Sequence, residues 1–473
     1  MDEIKLSDDV IEQIKDFNHR FLIEEQELLI DKLILNEELK ELYKEYGLCN
    51  ECKQPNIGHF YCKSCNFKRF HQNFKNWTSG NHDVDNFTQN TQLKARKFEE
   101  ILEWIEHKSF INVKYLAEGG FGTVFKAIWE DGFIGSWDSE KNQWHRLMHK
   151  EVALKCLHNS QNITTEFLRE IELLLILAAN KSGRIIRCYG ITKDPITNNF
   201  MIVMELKKGS LRQHLDKDFN SLDWKKKLYM LQVISFGLED IHSNGFIHHD
   251  FHCGNILSDF NDKAFITDVG LCQPANMKIS QEDNTFGVLP YVAPEVLRGG
   301  VYTQVSDIYA FGIVAYEICT GFPPYHNVPH DEFLALKICE GLRPESNYKI
   351  PNLIFDIINQ CWDEDSLKRP NVVELRELFR KMYNDYNEDS VINKQIKEAD
   401  EINSKSSSST VKSPLLSTST LSYTTHPQAS YTSRLLSFKN LSKLKKTDDN
   451  SFGTINENRL TMILKIKSKP VTW

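Results

Sequence analysis

Apolar positions across residues 8–46 recur with a helical period, uninterrupted by Pro or Gly. Val10, Ile14, Phe17 and Phe21 form one seam spaced 4, 3, 4, and Leu35, Leu39, Leu42 and Tyr46 form a second with the same spacing. The pattern predicts one amphipathic helix, broken or bent between the seams, with its stripe packed on a neighbouring domain. A coiled coil fits less well, because Glu24 and Asp31 interrupt the heptad. Farther on the period changes. Residues 116–124, Leu-Ala-Glu-Gly-Gly-Phe-Gly-Thr-Val, put glycines between apolar flanks and predict a strand-turn-strand. Val152-Ala153-Leu154-Lys155 is a strand-like run ending on a lysine, Phe167 to Ile171 has helical spacing, and Ile266-Thr267-Asp268 ends a short apolar run on a carboxylate. Residues 79–90 are polar and turn-rich, which predicts a linker, and Phe98, Ile101, Leu102 and Ile105 predict a short helix after it.

A chain of 473 residues exceeds one ordinary core, so two or three folded units are expected. With 41% hydrophobic and 26% charged residues the composition is globular. The net charge of −8 is uneven: residues 401–473 hold eleven Lys/Arg against four Asp/Glu, so the acidic excess lies in the first 400. That argues against a general nucleic-acid binder. No apolar run reaches the roughly 18 residues of a membrane helix. The start, Met-Asp-Glu-Ile-Lys, lacks the basic and apolar regions of a signal peptide. A cytoplasmic or nuclear location follows as the expectation, with the eleven cysteines as thiols or metal ligands.

Four of those cysteines are paired: Cys49-x2-Cys52 and Cys62-x2-Cys65. Two such pairs on short turns supply a full tetrahedral thiolate set for a structural Zn²⁺, with no position left open for a substrate. His59 lies between them as a competing ligand. Phe60, Tyr61, Phe67, Phe70, Phe74 and Trp77 alternate with Lys63, Lys68, Arg69, His71 and Lys75. This mixture suits either nucleic-acid or peptide binding or, the preferred reading, the core of a small metal domain. At the other end, Ser404–Ser409, Thr410, Ser413, Ser417–Thr420 and Ser422 predict a disordered tail over 384–473. Ser413-Pro414 within it suits a proline-directed kinase. Lys439, Lys443, Lys445 and Lys446 among Leu435, Leu436, Phe438, Leu441 and Leu444 form a basic, apolar patch, read as solvated tail ahead of a membrane or nucleic-acid contact, and residues 460–466 could dock back on the folded part.

The chemistry-bearing residues lie between. His248-His249-Asp250-Phe251-His252-Cys253-Gly254-Asn255 carries a carboxylate and an amide five positions apart. On one loop Asp250 could take a proton from a hydroxyl and Asn255 could ligate a hard cation such as Mg²⁺. Lys155 is expensive to bury alone, and Glu170, fifteen residues on, is its natural partner. Asp268 follows Asn255 by thirteen and could complete the metal site. Glu295 of Ala293-Pro294-Glu295 suits an ion pair with Arg369. The glycine loop is not followed by Gly-Lys-Ser/Thr, so it is no Walker loop.

In this order the motifs resemble the eukaryotic protein kinase fold, an α+β bilobal architecture, across about 275 residues. The loop around His252-Cys253-Gly254 looks most like the tyrosine-kinase-like branch. Asn73 to Gly80 with the upstream cysteines resembles kinase families expanded in some fungi. The resemblance implies an N-terminal helical segment (1–47), a Cys₄ module (48–80), a linker helix (81–109), a kinase domain (110–383) and the tail (384–473). It implies transfer of the γ-phosphoryl group of Mg·ATP to a Ser/Thr, alternatively Tyr, hydroxyl of a protein whose identity the chain does not disclose. Gly119, Gly120, Gly122, Val124, Ala153, Glu205, Lys207 and Leu257 would line the nucleotide site, behind Met204 as gatekeeper. Lys155 would hold the phosphates, fixed by Glu170; Asp250 would act as base; Asn255 and Asp268 would hold Mg²⁺. Trp129, Trp137 and Trp144 fall in an insert that reads as a surface hairpin. Ala117 replaces the first loop glycine. His249 replaces the arginine that pairs with a phosphorylated activation segment, which weakens the case for control at Ser280 or Thr285, although a protonated His249 could partly substitute. Val269 replaces the phenylalanine of Asp-Phe-Gly, which should ease passage to an inactive state. His252 and Val288 replace the lysine and threonine usual in serine/threonine kinases and leave the acceptor open. A scaffold that binds ATP without turnover, and a protein that works through its zinc module, are the rival readings.

Overall fold

The computed structural model describes residues 5–119, 122–157, 160–161, 163–178, 182–260, 263–274, 285–408 and 423–436. Expectations at Gly120, Ser280, Ser413-Pro414 and the rest of the 409–422 stretch, the Lys439–Lys446 patch and residues 460–466 lie outside them. Among the described residues no helix is long and apolar enough to cross a membrane.

The N-terminal segment is three helices rather than one bent helix: α1 (Asp8–Ile14), α2 (Glu24–Leu33) and α3 (Glu37–Tyr46). Asn36 ends the run before α3 by accepting the Leu39 N–H at 2.9 Å, a cap that also starts the next helix. Its core is Leu6, Ile11, Ile14, Ile30, Ile34 and Tyr43, whereas Phe21 and Leu35 of the predicted seams are exposed. The bundle is pinned to the cysteine turns by Gln54, which accepts from Leu6 N–H at 2.8 Å and donates to Leu6 O at 2.9 Å.

Helices α4 (Lys63–Asn73) and α5 (His82–Lys94) follow. The expected linker is thus a helix. Asn81 caps it, and Val84, Thr88 and Gln92 make its buried stripe. Two polar members hid that stripe from the pattern; Gln92 Nε2 is satisfied by Leu102 O at 2.7 Å. The expected helix at 98–105 is a short 3₁₀ turn, Phe98–Glu100, followed by a strand, β1 (Glu103–Trp104).

β1 belongs to the main sheet with β2 (Phe110–Gly119), β3 (Gly122–Trp129), β6 (Lys150–Leu157), β7 (Cys188–Lys193) and β8 (Phe200–Glu205), in the order β1-β7-β8-β6-β3-β2. Helix α6 (Thr165–Ala178) packs beside it. Between β3 and β6 rises the hairpin β4 (Phe133–Asp138) and β5 (Gln143–Leu147). This insert is not a free surface hairpin. Ile134 is buried with Tyr61, Phe70, Phe98 and Ile101, and Trp144 stacks on Phe70 with centroids 5.0 Å apart. The Arg69 guanidinium lies 4.1 Å from the Trp137 centroid. Trp129 is buried in the sheet's own core with Phe110 and Tyr189. The hairpin therefore shares one core with the cysteine module, in which Tyr61 and Phe70 are the buried members of the aromatic set expected to form a core, while Phe60 and Phe67 are exposed.

The second lobe is helical. A two-residue strand β9 (Gly209–Ser210) leads into α7 (Leu211–Asp218) and the twenty-residue α8 (Trp224–Ser243), and β10 (Phe246–Ile247), β11 (Ile256–Ser258), β12 (Ala264–Ile266), β13 (Gln273–Pro274) and β14 (Thr285–Gly287) flank the cleft. Then come α9 (Pro294–Leu297), the almost wholly buried α10 (Gln304–Thr320), α11 (Glu332–Cys339), α12 (Asn352–Cys361) and α13 (Val372–Asn384). Arg369 and Glu295 form the two-pronged pair, at 2.7 and 2.8 Å. The tail departs from the expected disorder where it is described. α14 (Val391–Ser408) buries Ile392, Ile396 and Ala399, with Asp400 accepting from Trp224 Nε1 at 2.9 Å. Residues 423–436 lie on the same lobe, and β15 (Arg434–Leu436) pairs antiparallel with β14.

Candidate active site

Register builds the cleft. β3 and β6 set Val124 opposite Lys155, and β6 and β8 set Ala153 opposite Met204. Gly119 pairs with Gly122 at the turn end of the glycine hairpin. Gly122 must be glycine, since a Cβ there would stand 2.1 Å from Cys156 O. Helix α6 delivers Glu170, whose Oε1 accepts from Lys155 Nζ at 2.7 Å. Asp268 Oδ1 accepts from the same ammonium. Burial disfavours the charge on Lys155, but Asp268 and Glu170 together outweigh it and raise the group above the ordinary lysine range. Asp268 sits in left-handed backbone, φ 57°, and Val269 behind it is fully buried in the core. At Gly270 a Cβ would stand 2.8 Å from Glu170 Oε2, so the glycine lets α6 close on this turn. On the hinge side, the Glu205 N–H is taken by Arg187 O at 2.9 Å. Lys207 Nζ is engaged by Glu205 at 3.0 Å and Asp259 at 3.4 Å. Leu257 lies on β11 opposite Phe265 and Ser210.

The catalytic-type loop hangs from Asp307 of α10. Its carboxylate accepts from His248 N–H at 2.7 Å and His249 N–H at 3.1 Å. His248 Nδ1 accepts the Asp250 N–H at 3.3 Å, so its proton is on Nε2, which donates to Thr267 O at 3.1 Å. Burial lowers its pKa and keeps it neutral. Asn255 Nδ2 donates to Asp250 O at 2.9 Å and Oδ2 at 3.0 Å, which leaves its amide oxygen to face a cation. The β11–β12 register, Ile256 opposite Ile266, sets Asn255 beside Thr267 and hence next to Asp268. Amide oxygen plus carboxylate is a donor set suited to Mg²⁺.

Asp250 is buried, which opposes its ionisation. The His252 imidazole and the Ser433 hydroxyl, which both face its carboxylate, overcome this and hold it at about 2. Ser433, which sequence reasoning passed over, comes from 183 positions away. His249 stacks on Tyr302, centroids 4.3 Å apart, and burial lowers it to about 4. The expected protonated substitute for arginine is therefore absent at neutral pH. Val288 is buried, and Thr285 is paired with Leu436.

In the N-terminal module the sulfurs of Cys49, Cys52, Cys62 and Cys65 all lie within 4.8 Å of one another. Tetrahedral thiolates at about 2.3 Å from zinc stand about 3.8 Å apart, so the set fits such an ion.

The family described as protein tyrosine and serine/threonine kinase matches residues 110–379. A probable serine/threonine-protein kinase of Dictyostelium discoideum is 28% identical over 282 residues, 57% of this chain and 19% of that protein. The probable serine/threonine-protein kinase roco5 of the same organism is 30% identical over 296 residues, 57% and 10% respectively. The tyrosine-protein kinase SPK-1 of Girardia tigrina is 29% identical over 257 residues, 52% and 50%. The chain thus spans half or less of the length of these relatives. With its glycine hairpin, its closed lysine–glutamate pair and a family match across more than half its length, the chain belongs to the protein tyrosine and serine/threonine kinases.

Proposed function

We propose that this protein transfers the γ-phosphoryl group of ATP to a serine or threonine hydroxyl of a protein. The observation that carries it is the convergence in one cleft of a closed Lys155–Glu170 pair with Asp268, and of Asp250 with Asn255. Lys155 holds the phosphates and Glu170 fixes the lysine. The Asn255 amide oxygen and Asp268 hold Mg²⁺, which when bound neutralises phosphate charge. Asp250 orients the acceptor hydroxyl and takes its proton. Gly119, Gly122, Val124, Ala153 and Leu257 enclose the nucleotide against the 205–207 hinge. Positioning and charge neutralisation supply the rate. Serine or threonine is favoured over tyrosine because the hydroxyl that reaches Asp250 here is a serine's.

The loop His252-Cys253-Gly254-Asn255 favours the tyrosine-kinase-like branch, and the cysteine set a structural Zn²⁺. Eleven unpaired thiols suit the cytosol or nucleus. The test is transfer of label from ATP with Mg²⁺ to a generic protein substrate, with Asp250→Asn alongside. Loss of at least 10²-fold in the variant is expected, the usual scale of proton-transfer catalysis. ATP binding by the parent with no label transferred would instead make it a scaffold.

A further inference from the structure

Residues 423–436 run along the acceptor side of the cleft, and the match to a substrate is made atom by atom. Ser433 is buried, and its hydroxyl donates to Asp250 Oδ2. His252 completes the seat. The Gly254 N–H donates to His252 Nδ1 at 3.1 Å, so the ring proton is on Nε2, which lies 3.1 Å from Ser433 Oγ and 3.5 Å from Asp250 Oδ2. The imidazole thus donates to the same hydroxyl oxygen whose proton faces the carboxylate. That is the arrangement wanted by a hydroxyl about to attack: proton aimed at a base, oxygen fixed by a second group.

Both flanks hold the serine in register. Upstream, the Tyr431 hydroxyl donates to Pro324 O at 2.8 Å, His330 N–H donates to Gln428 O at 3.1 Å, and Tyr423 reaches Asp216 at 2.8 Å. Downstream, the Arg434 guanidinium donates to His330 O at 2.8 Å. There the backbone adds a strand to the sheet edge, Gly287 opposite Arg434 through Thr285 opposite Leu436, and Leu436 is buried. Strand addition with side-chain pockets on either side is a common way to bind an extended peptide. Ordering a tail so far along the chain costs conformational entropy, so chance adhesion would not place one hydroxyl on the base.

We propose that this segment is a built-in substrate and that Ser433 is phosphorylated in cis by the chain that carries it. The proposal rests on the kinase reading above. Ser433 Oγ bonds to the γ-phosphorus as the bond from that phosphorus to the β,γ-bridging oxygen breaks, ADP leaves with the electron pair, and the hydroxyl proton passes to Asp250. The product carries nearly two negative charges beside the Asp250 carboxylate, so repulsion unseats the tail and opens the groove to other proteins. Before that, the segment excludes them.

The experiment uses the full chain, first treated with a phosphatase, then given Mg·ATP and followed by intact mass and site mapping, with a generic protein acceptor in parallel. Expected are a phosphate on Ser433 at a first-order rate independent of chain concentration, and a lag in acceptor labelling that matches it. Leu436→Asp, which puts a charge where the segment is buried, should slow Ser433 phosphorylation at least tenfold and abolish the lag. Acceptor labelling without phosphate on Ser433, or a rate at Ser433 that rises with chain concentration, overturns the proposal and leaves the kinase reading standing. No label on Ser433 or on the acceptor, in the parent and in Leu436→Asp alike, overturns both.

Discussion

Three imidazoles within five residues do different work because their partners differ. His248 is a neutral strut between Asp250 N–H and Thr267 O. His252 faces the Ser433 hydroxyl, kept in place by Gly254, where a Cβ would stand 2.7 Å from its ring. His249 stacks on Tyr302 and is held at about 4 by burial. Its folded pKa is below its unfolded value, so between these two pH values the unfolded chain binds the proton and the folded chain does not. Stability is complete above about pH 6.5 and declines as pH falls toward 4, by roughly 2 to 3 kcal/mol for this group. Thermal melts from pH 7 to 4.5 should show the decline, and His249→Gln should make it shallower; an unchanged slope would count against the buried neutral imidazole. The Lys155–Glu170 pair was legible because a buried ammonium needs a carboxylate partner, and Asp250, Asn255 and Asp268 stood out by their spacing. The charge state of His249 was not, because it depends on Tyr302, fifty-three positions away.

Among elements, short strands set the site and an insert ties the modules together. The β11–β12 hairpin converts a thirteen-residue spacing between Asn255 and Asp268 into adjacency. The β4–β5 hairpin carries Ile134 into the core formed by Tyr61, Phe70 and Phe98. Ile134→Ala should cost roughly 2 to 4 kcal/mol by lost burial and the cavity left behind. Urea unfolding followed by Trp fluorescence would measure it, and a cost under about 0.5 kcal/mol, the scale of a surface change, would mean the hairpin is not packed there. β6 could be read from its short apolar run ending on Lys155, and α6 from helical spacing. The stripe of α5 could not, since two of its three buried members, Thr88 and Gln92, are polar, Gln92 being satisfied by Leu102 O. Nor could the three N-terminal helices, whose breaks come from caps and extended residues inside an otherwise continuous periodic run.

At the scale of the whole molecule, the cysteine module, the hairpin and the sheet lobe form one connected structure, and the tail closes on the other lobe. The four sulfurs lie together on the turns that lead into Tyr61 and α4, and we propose that a zinc ion ties them. The full chain should therefore contain one zinc ion by elemental analysis, and its removal by a strong chelator should lower the melting temperature. A chain purified without metal and equally stable would refute a structural ion. Sequence alone determined the two-lobed kinase architecture and the order of its glycine turn, lysine, glutamate, Asp250–Asn255 loop and Asp268, because these are local patterns of residue type and spacing. Only the tertiary structure decided that the insert is a joint between modules and that Ser433 lies on Asp250. Those are long-range pairings of unremarkable residues, selected by the shape and hydrogen bonds of surfaces that exist only once the lobes have folded.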